Sequence, residues 1–249
     1  MIIKPQENIK KTIEELNSQV IAQIKIYIKE IIILYQLQQP TPQDAQGPKA
    51  LLIMGHSASG KDTLIQHFTG YPRILRTTTR KPRIGEINGD DYFFVPEEGF
   101  GDPEKYCCYE LHPTGNRYGI AREHVYNVIE KQNADPTTPI VCIAGQITDD
   151  LLKIFTTNHI YPHLVFLYCD PQTMIDRLCA RHQKEGTKEE TIITDISARL
   201  LGAISDFERI IKLYNSMYAK QTHIPLWLFN TAVPNNTPGN IKQQLLAGY

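Results

Sequence analysis

Residues 50–68 read ALLIMGHSASGKDTLIQHF: an apolar run, a glycine-rich turn, then the start of a helical pattern. That order defines a phosphate-binding loop. A strand delivers the chain to the turn, Gly55 and Gly60 let successive backbone N–H groups face inward, and the following helix adds its positive N-terminal end. Lys61 then reaches the outer phosphates. One letter departs from G-x-x-x-x-G-K-[ST], because Asp62 stands where a hydroxyl normally meets magnesium. A carboxylate there either binds a hard cation, directly or through water, or repels a phosphate that no metal screens. Asp62 therefore implies a metal or a weakened site.

Downstream of the loop the pattern is that of an α/β protein with a doubly wound parallel sheet. Near-continuous apolar runs at 50–54, 139–144, 163–169 and 225–229 read as buried parallel strands, and helices are expected at 61–69, 121–132, 147–156, 171–182, 189–218 and 238–247. Residues 76–120, rich in Arg, Thr, Gly and Tyr, break the alternation and read as an inserted acceptor-binding subdomain. Upstream, residues 6–37 form one long amphipathic helix, with Ile9, Ile13, Leu16, Val20, Ile24, Ile28, Ile31 and Leu34 stepping by threes and fours. This helix either packs on its own domain or serves as a dimerisation or partner helix. The polar, proline-rich stretch at 36–48 reads as a linker. The division is thus an N-terminal helix and linker over 1–48 and a domain over 49–249.

Composition sets further bounds. With 41% hydrophobic and 21% charged residues, the 249-residue chain can bury one full core. A net charge of -1 gives no global attraction for nucleic acid or an anionic membrane, so phosphate binding must come from local arginines. The run at 31–34 falls short of the ~20 apolar residues of a membrane span, and no signal peptide is visible. Cys107, Cys108, Cys142, Cys169 and Cys179 form no CxxC and read as reduced thiols of a cytoplasmic protein. The scattered histidines argue against a structural zinc site.

A second strong signal is TTTRKPRIGEINGDDYFFV at 77–95. Arg80 and Arg83, three apart around a proline turn and followed by Tyr92, can converge on one phosphate dianion through forked donors and a phenol. Together with the loop, this stretch resembles guanylate kinase over roughly 49–247. The resemblance implies that Arg80, Arg83, Tyr92 and Tyr118 bind the acceptor phosphate. It further implies that Gly55, Ser57, Ala58, Ser59, Gly60, Lys61, Asp62 and Thr63 hold ATP, with Arg177, Arg181 and Arg199 in a lid over 177–199 whose mobile tip is 184–187. Lys61, Arg177 and Arg181 would neutralise the moving phosphoryl group with Mg2+, and no general base is needed.

Departures accompany the matches. The places where that family reads guanine hold Arg76, Tyr109 (or Glu110 with a one-residue slip), Ile120 and Gly145, so GMP is expected to be an unexceptional substrate. The residues after the strand at 139–144 also lack the family's D-x-D acid, and Asp62 is the candidate metal ligand that replaces it. In this the loop resembles ribose 1,5-bisphosphate phosphokinase. The implied activity is phosphoryl transfer from ATP to a phosphorylated small-molecule acceptor, a nucleoside monophosphate first. The alternatives are a sugar-phosphate kinase and a non-catalytic binding module of the same fold.

Overall fold

The computed structural model describes residues 5–37, 48–112, 114–132, 137–219 and 224–247. The N-terminal amphipathic stretch is two helices rather than one, α1 (Pro5–Leu16) and α2 (Ser18–Leu37), interrupted at Asn17. The backbone ladder runs on through Asn17, whose N–H donates to the Ile13 carbonyl (3.0 Å) and whose carbonyl accepts from Ile21 (2.9 Å), while its side-chain amide donates to the same Ile13 carbonyl (2.8 Å) and to Ser197 Oγ (2.9 Å). Most of the expected linker at 36–48 lies outside the described residues.

β1 (Lys49–Gly55) leads through the glycine turn into the short α3 (Lys61–Ile65), which ends in a 3-10 turn at Gln66–Phe68. Next come β2 (Arg73–Ile74), β3 (Thr77–Thr78), β4 (Phe93–Phe94), β5 (Tyr106–Leu111), β6 (Arg117–Ala121) and α4 (Arg122–Gln132). The chain then alternates through β7 (Ile140–Ile143), α5 (Asp149–Thr157), β8 (Tyr161–Tyr168), α6 (Pro171–Glu185), α7 (Glu189–Ala219), β9 (Leu226–Asn230) and α8 (Pro238–Ala247). The four strands and the later helices expected from periodicity all form, with ends shifted by a few residues.

The main sheet is parallel throughout, in the order β2-β7-β1-β8-β9. Along β1 the pleat sends Ala50, Leu52 and Met54 to one face and Leu51 and Ile53 to the other. The second face is covered by α3 and α8 through Leu64, Ile65, Ile241 and Leu245. The first carries α4 to α7 and also the N-terminal pair, since Ile13, Ile24 and Ile31 sink into the same core as Phe166 and Phe207. Polar ties reinforce that seat: Lys10 Nζ lies 2.5 Å from Asp176 Oδ1, and Tyr27 Oη donates to Glu208 Oε1 at 2.7 Å.

The segment at 76–120 builds a second sheet, β4-β3-β6-β5, with β3 antiparallel to β6 and β6 antiparallel to β5. A bulge between Tyr106 and Cys108 shifts the β5 register, so that Glu110 stands opposite Tyr118.

Ile24 is 1% exposed. Ile24→Ala is expected to lower unfolding free energy by about 2–4 kcal/mol, measured by urea denaturation at two protein concentrations. A smaller loss that depends on concentration would mean that α2 serves another copy instead.

Candidate active site

β1 ends at Gly55, whose φ is +146° and whose Cβ, if present, would lie 2.2 Å from the Leu167 carbonyl oxygen of β8. No side chain fits there, so the loop hugs the sheet before turning. Ala58 and Gly60 also adopt positive φ, 61° and 92°, and Gly60 caps α3. Lys61 Nζ donates back to the Gly55 carbonyl (2.5 Å) and the His56 carbonyl (2.8 Å), which aims the ammonium along the loop. Burial lowers its pKa from the ordinary 10.5, with Asp206 and Asp62 opposing.

His56, which sequence reasoning missed, is buried beneath this turn. Its Nδ1 lies 2.7 Å from the Ser57 carbonyl and its Nε2 accepts from the Cys169 amide at 3.0 Å, so the proton sits on Nδ1. Burial pushes its pKa down to about 4, leaving it neutral. Asp62 lies in the first turn of α3 with its side chain exposed, and among the described residues it enters no ion pair. It is a hard oxygen donor beside the loop, which fits a magnesium ion shared with phosphate oxygens. Among the described residues no three-residue His/Cys/Asp/Glu cluster could hold a metal by itself.

The donor-side arginines come from two helices. Asp170 caps α6 by accepting from the Thr173 amide (3.0 Å), and Pro171 follows at the first helical position. Arg177 then reaches back to the Ala58 carbonyl (2.9 Å), Thr231 Oγ1 (2.9 Å) and the Thr231 carbonyl (2.7 Å). Arg199, on α7, donates to Ser57 Oγ at 3.0 Å and to Asp195 Oδ2 at 2.5 Å. Arg181 is held down to about 10 by burial, then by the positive charges of Arg199 and Arg83, with Asp195 opposing. Arg177 and Arg181 line a cavity of about 410 Å3 together with Lys61, Asp62, Thr231 and Asn236. Thr231 and Asn236 follow β9 in a turn that carries no sequence motif.

The acceptor-side residues also come together. Arg80 makes a two-bonded fork to Glu86 (2.8 Å each), while Arg83 donates its backbone N–H (2.6 Å) and Nη1 (3.5 Å) to the same carboxylate. The Arg80 guanidinium lies 5.3 Å from the Tyr92 ring centre, and Tyr92 meets Tyr118 edge-on at 6.3 Å. Burial raises the Tyr92 pKa, keeping it a hydroxyl donor. Beside this cluster Arg76 stacks on Tyr118 (4.5 Å) and donates to Glu110 Oε2 at 3.0 Å; Arg209 donates to Glu110 Oε1 at 2.8 Å. A Cβ on Gly145 would sit 2.3 Å from Glu110 Oε2, so the glycine makes room for this pair. Of Tyr109 and Glu110, it is Glu110 that faces Arg76 and Gly145, while Tyr109 packs edge-on against Phe100 at 5.8 Å. Asp206, another residue not expected, lies on α7 in the field of Lys61 and Glu110, its pKa pushed up to about 7 chiefly by burial.

Sequence comparison supplies independent findings. The guanylate kinase family profile matches residues 47–214. The chain is 28% identical over 221 residues to a guanylate kinase of Streptomyces kasugaensis, covering 84% of this chain and 89% of that protein. It is 39% identical over 196 residues to a guanylate kinase of Wolbachia pipientis wMel, covering 66% and 92%. A guanylate kinase of Streptomyces coelicolor is 34% identical over 188 residues, covering 65% and 92%.

Glu110 is expected to matter for stability in a pH-dependent way. Burial alone would raise its pKa, but Arg76 and Arg209 hold it below the ordinary 4.5, so the stabilisation is present above that value and is lost as pH falls through the lower folded value. Glu110→Gln should therefore destabilise the fold by about 3 kcal/mol near pH 7, by taking the carboxylate from the Arg76 guanidinium and leaving Arg209 with Asp206 at 3.6 Å, with the gap closing in acid. Thermal unfolding of both proteins from pH 7 to pH 3 checks it; a gap independent of pH would contradict the charge argument.

Proposed function

The chain belongs to the guanylate kinase family, whose profile it matches over residues 47–214, and from that membership we propose that it transfers the terminal phosphoryl group of ATP to the phosphate of a nucleoside monophosphate. Nucleotide-dependent phosphotransfer is common to its relatives; donor and acceptor identity are our reading of the site. The observation that carries it is convergence. Arg199 of α7 and Arg83, between β3 and β4, both lie near enough to Arg181 for their positive charges to lower its pKa, and Arg181 lines the donor-side cavity with Lys61 and Asp62, so cations of the acceptor and donor sides approach one another.

In this reading the loop amides and Lys61 hold the outer phosphates of ATP, and Thr63, Ser57 and Ser59 stand along the same turn. Arg177 locks the loop to the turn after β9. Arg181 and Arg199 meet the transferring group. Arg80, Arg83, Tyr92 and Tyr118 grip the acceptor phosphate, whose oxygen attacks in line without a side-chain base. Asp62 would hold Mg2+, directly or through water; the ion supplies charge neutralisation between triphosphate and loop. Water is excluded as the cleft closes over both substrates.

Glu110 changes the expectation for the base. A buried carboxylate offers acceptors for ring and amino N–H groups, and Arg76 beside it offers donors for an oxo group. That pairing suits guanine and opposes adenine, whose exocyclic group is a donor. Gly145 and Arg76 also favour a second reading, in which the guanidinium meets the second phosphate of a sugar bisphosphate. Lys61 and the arginine set speak against a non-catalytic module, which has no physical need for them.

ADP release in the presence of magnesium, measured across GMP, AMP, CMP and ribose 1,5-bisphosphate, tests the reading. GMP is expected to exceed AMP by about a hundredfold or more in kcat/KM. Lys61→Ala should lower turnover by roughly two to three orders of magnitude with an unchanged melting temperature. No ADP release with any monophosphate would refute the proposed reaction, and a preference for the bisphosphate would select the second reading.

A further inference from the structure

Asp195 sits at the junction of the two helices that carry the donor-side arginines. Its Oδ2 atom accepts from Arg199 Nε at 2.5 Å and lies 2.8 Å from His182 Nε2 and 3.9 Å from Arg181 Nη2. Arg199 in turn donates Nη1 to Ser57 Oγ in the phosphate loop at 3.0 Å. The carboxylate is therefore the middle link of a hydrogen-bonded chain that runs from His182 near the end of α6, through Asp195 and Arg199 on α7, to Ser57 in the loop.

The charges around it make the arrangement necessary. Arg181 and Arg199 repel each other, and Arg83 adds to that repulsion from the acceptor side. Asp195 is the carboxylate that Arg181 and Arg199 share. His182 fixes it from the other direction: the residue is 7% exposed and its Nδ1 lies 3.2 Å from Thr187 Oγ1, beyond the end of α6. Gly186, at φ +65°, ends α6 and turns the chain so that Thr187 can make this contact.

We propose that Asp195 is a positioning residue for phosphoryl transfer: it holds the guanidiniums of Arg181 and Arg199 in register with the phosphate loop, with His182 as its anchor. The inference rests on the donor site proposed above. Its consequence is a divided effect. Asp195 competes with triphosphate oxygens for the same two guanidiniums, so it weakens ground-state binding of ATP. It also restricts those guanidiniums to the orientation in which they meet the transferring group, so it raises turnover. A carboxylate that served only the fold would do neither separately.

The experiment compares the full chain with Asp195→Asn and Asp195→Glu. Magnesium-ATP affinity is read by calorimetry, and turnover by ADP release with GMP as the probe acceptor. In Asp195→Asn, kcat is expected to fall about tenfold or more while ATP binds at least about twofold tighter, and Asp195→Glu is expected to recover much of the turnover. Unchanged kcat, or ATP binding weakened or unaltered in Asp195→Asn, overturns the proposal. If Asp195→Asn does not fold, Ser57→Ala tests the loop end of the chain, where a kcat loss below about threefold would overturn it. Should the parent bind ATP yet turn over no monophosphate, the proposed reaction fails by itself. Asp195 is then judged on binding alone: tighter ATP in Asp195→Asn supports the counter-ion role, and weaker or unaltered ATP refutes it.

Discussion

Guanidinium groups crowd one cleft in this protein, and like charges at such distances separate unless something negative lies between them. Arg177 is held by carbonyl and hydroxyl oxygens, and most of the others meet an internal carboxylate. Glu86 takes Arg80 and Arg83, Glu110 takes Arg76 and Arg209, and Asp195 takes Arg199 with Arg181 nearby. These pairs do for the protein what substrate phosphates would do in a complex: they neutralise the cations and hold their geometry. The Arg80 fork to Glu86 has the form in which a guanidinium also meets phosphate, two parallel hydrogen bonds.

The parts of the fold that could be read from the sequence are those with long, regular patterns. β1, β7, β8 and β9 are apolar on both faces, and α6 and α7 repeat at helical spacing, so their existence follows from periodicity. The inserted sheet had no such pattern to show. β3 and β4 are two residues each, and β5 carries a bulge. That bulge is also why two neighbouring residues competed for one role. A shift of one position exchanges the faces of a strand, and only the register places Glu110 rather than Tyr109 across from Tyr118. Asn17 likewise hides inside a continuous amphipathic repeat, because what distinguishes it is a side-chain hydrogen bond to Ser197, far along the chain.

The candidate site divides the same way. Lys61, Arg80, Arg83, Arg177, Arg181 and Arg199 were legible because motifs fix them at short spacings. The counter-ions Asp195 and Glu86 were not: they are ordinary surface-type residues until folding encloses them. Thr231 and His56 were hidden for another reason, since each acts through backbone groups of the loop that any residue possesses. Gly145 is read differently before and after folding. In the sequence it is a missing acid, and in the structure it is the open space that an ion pair occupies.

The seating of α1 and α2 on α7 also has a kinetic side. The hydrogen bond from Asn17 to Ser197 joins residues 180 positions apart. At translation speeds of about 5–20 residues per second, the helix pair leaves the ribosome roughly ten to forty seconds before its docking surface exists. During that interval Ile13, Ile24 and Ile31 face water on a nascent chain, with nothing of their own to cover them. The last third of the chain therefore both completes the sheet and ends the waiting time of the first.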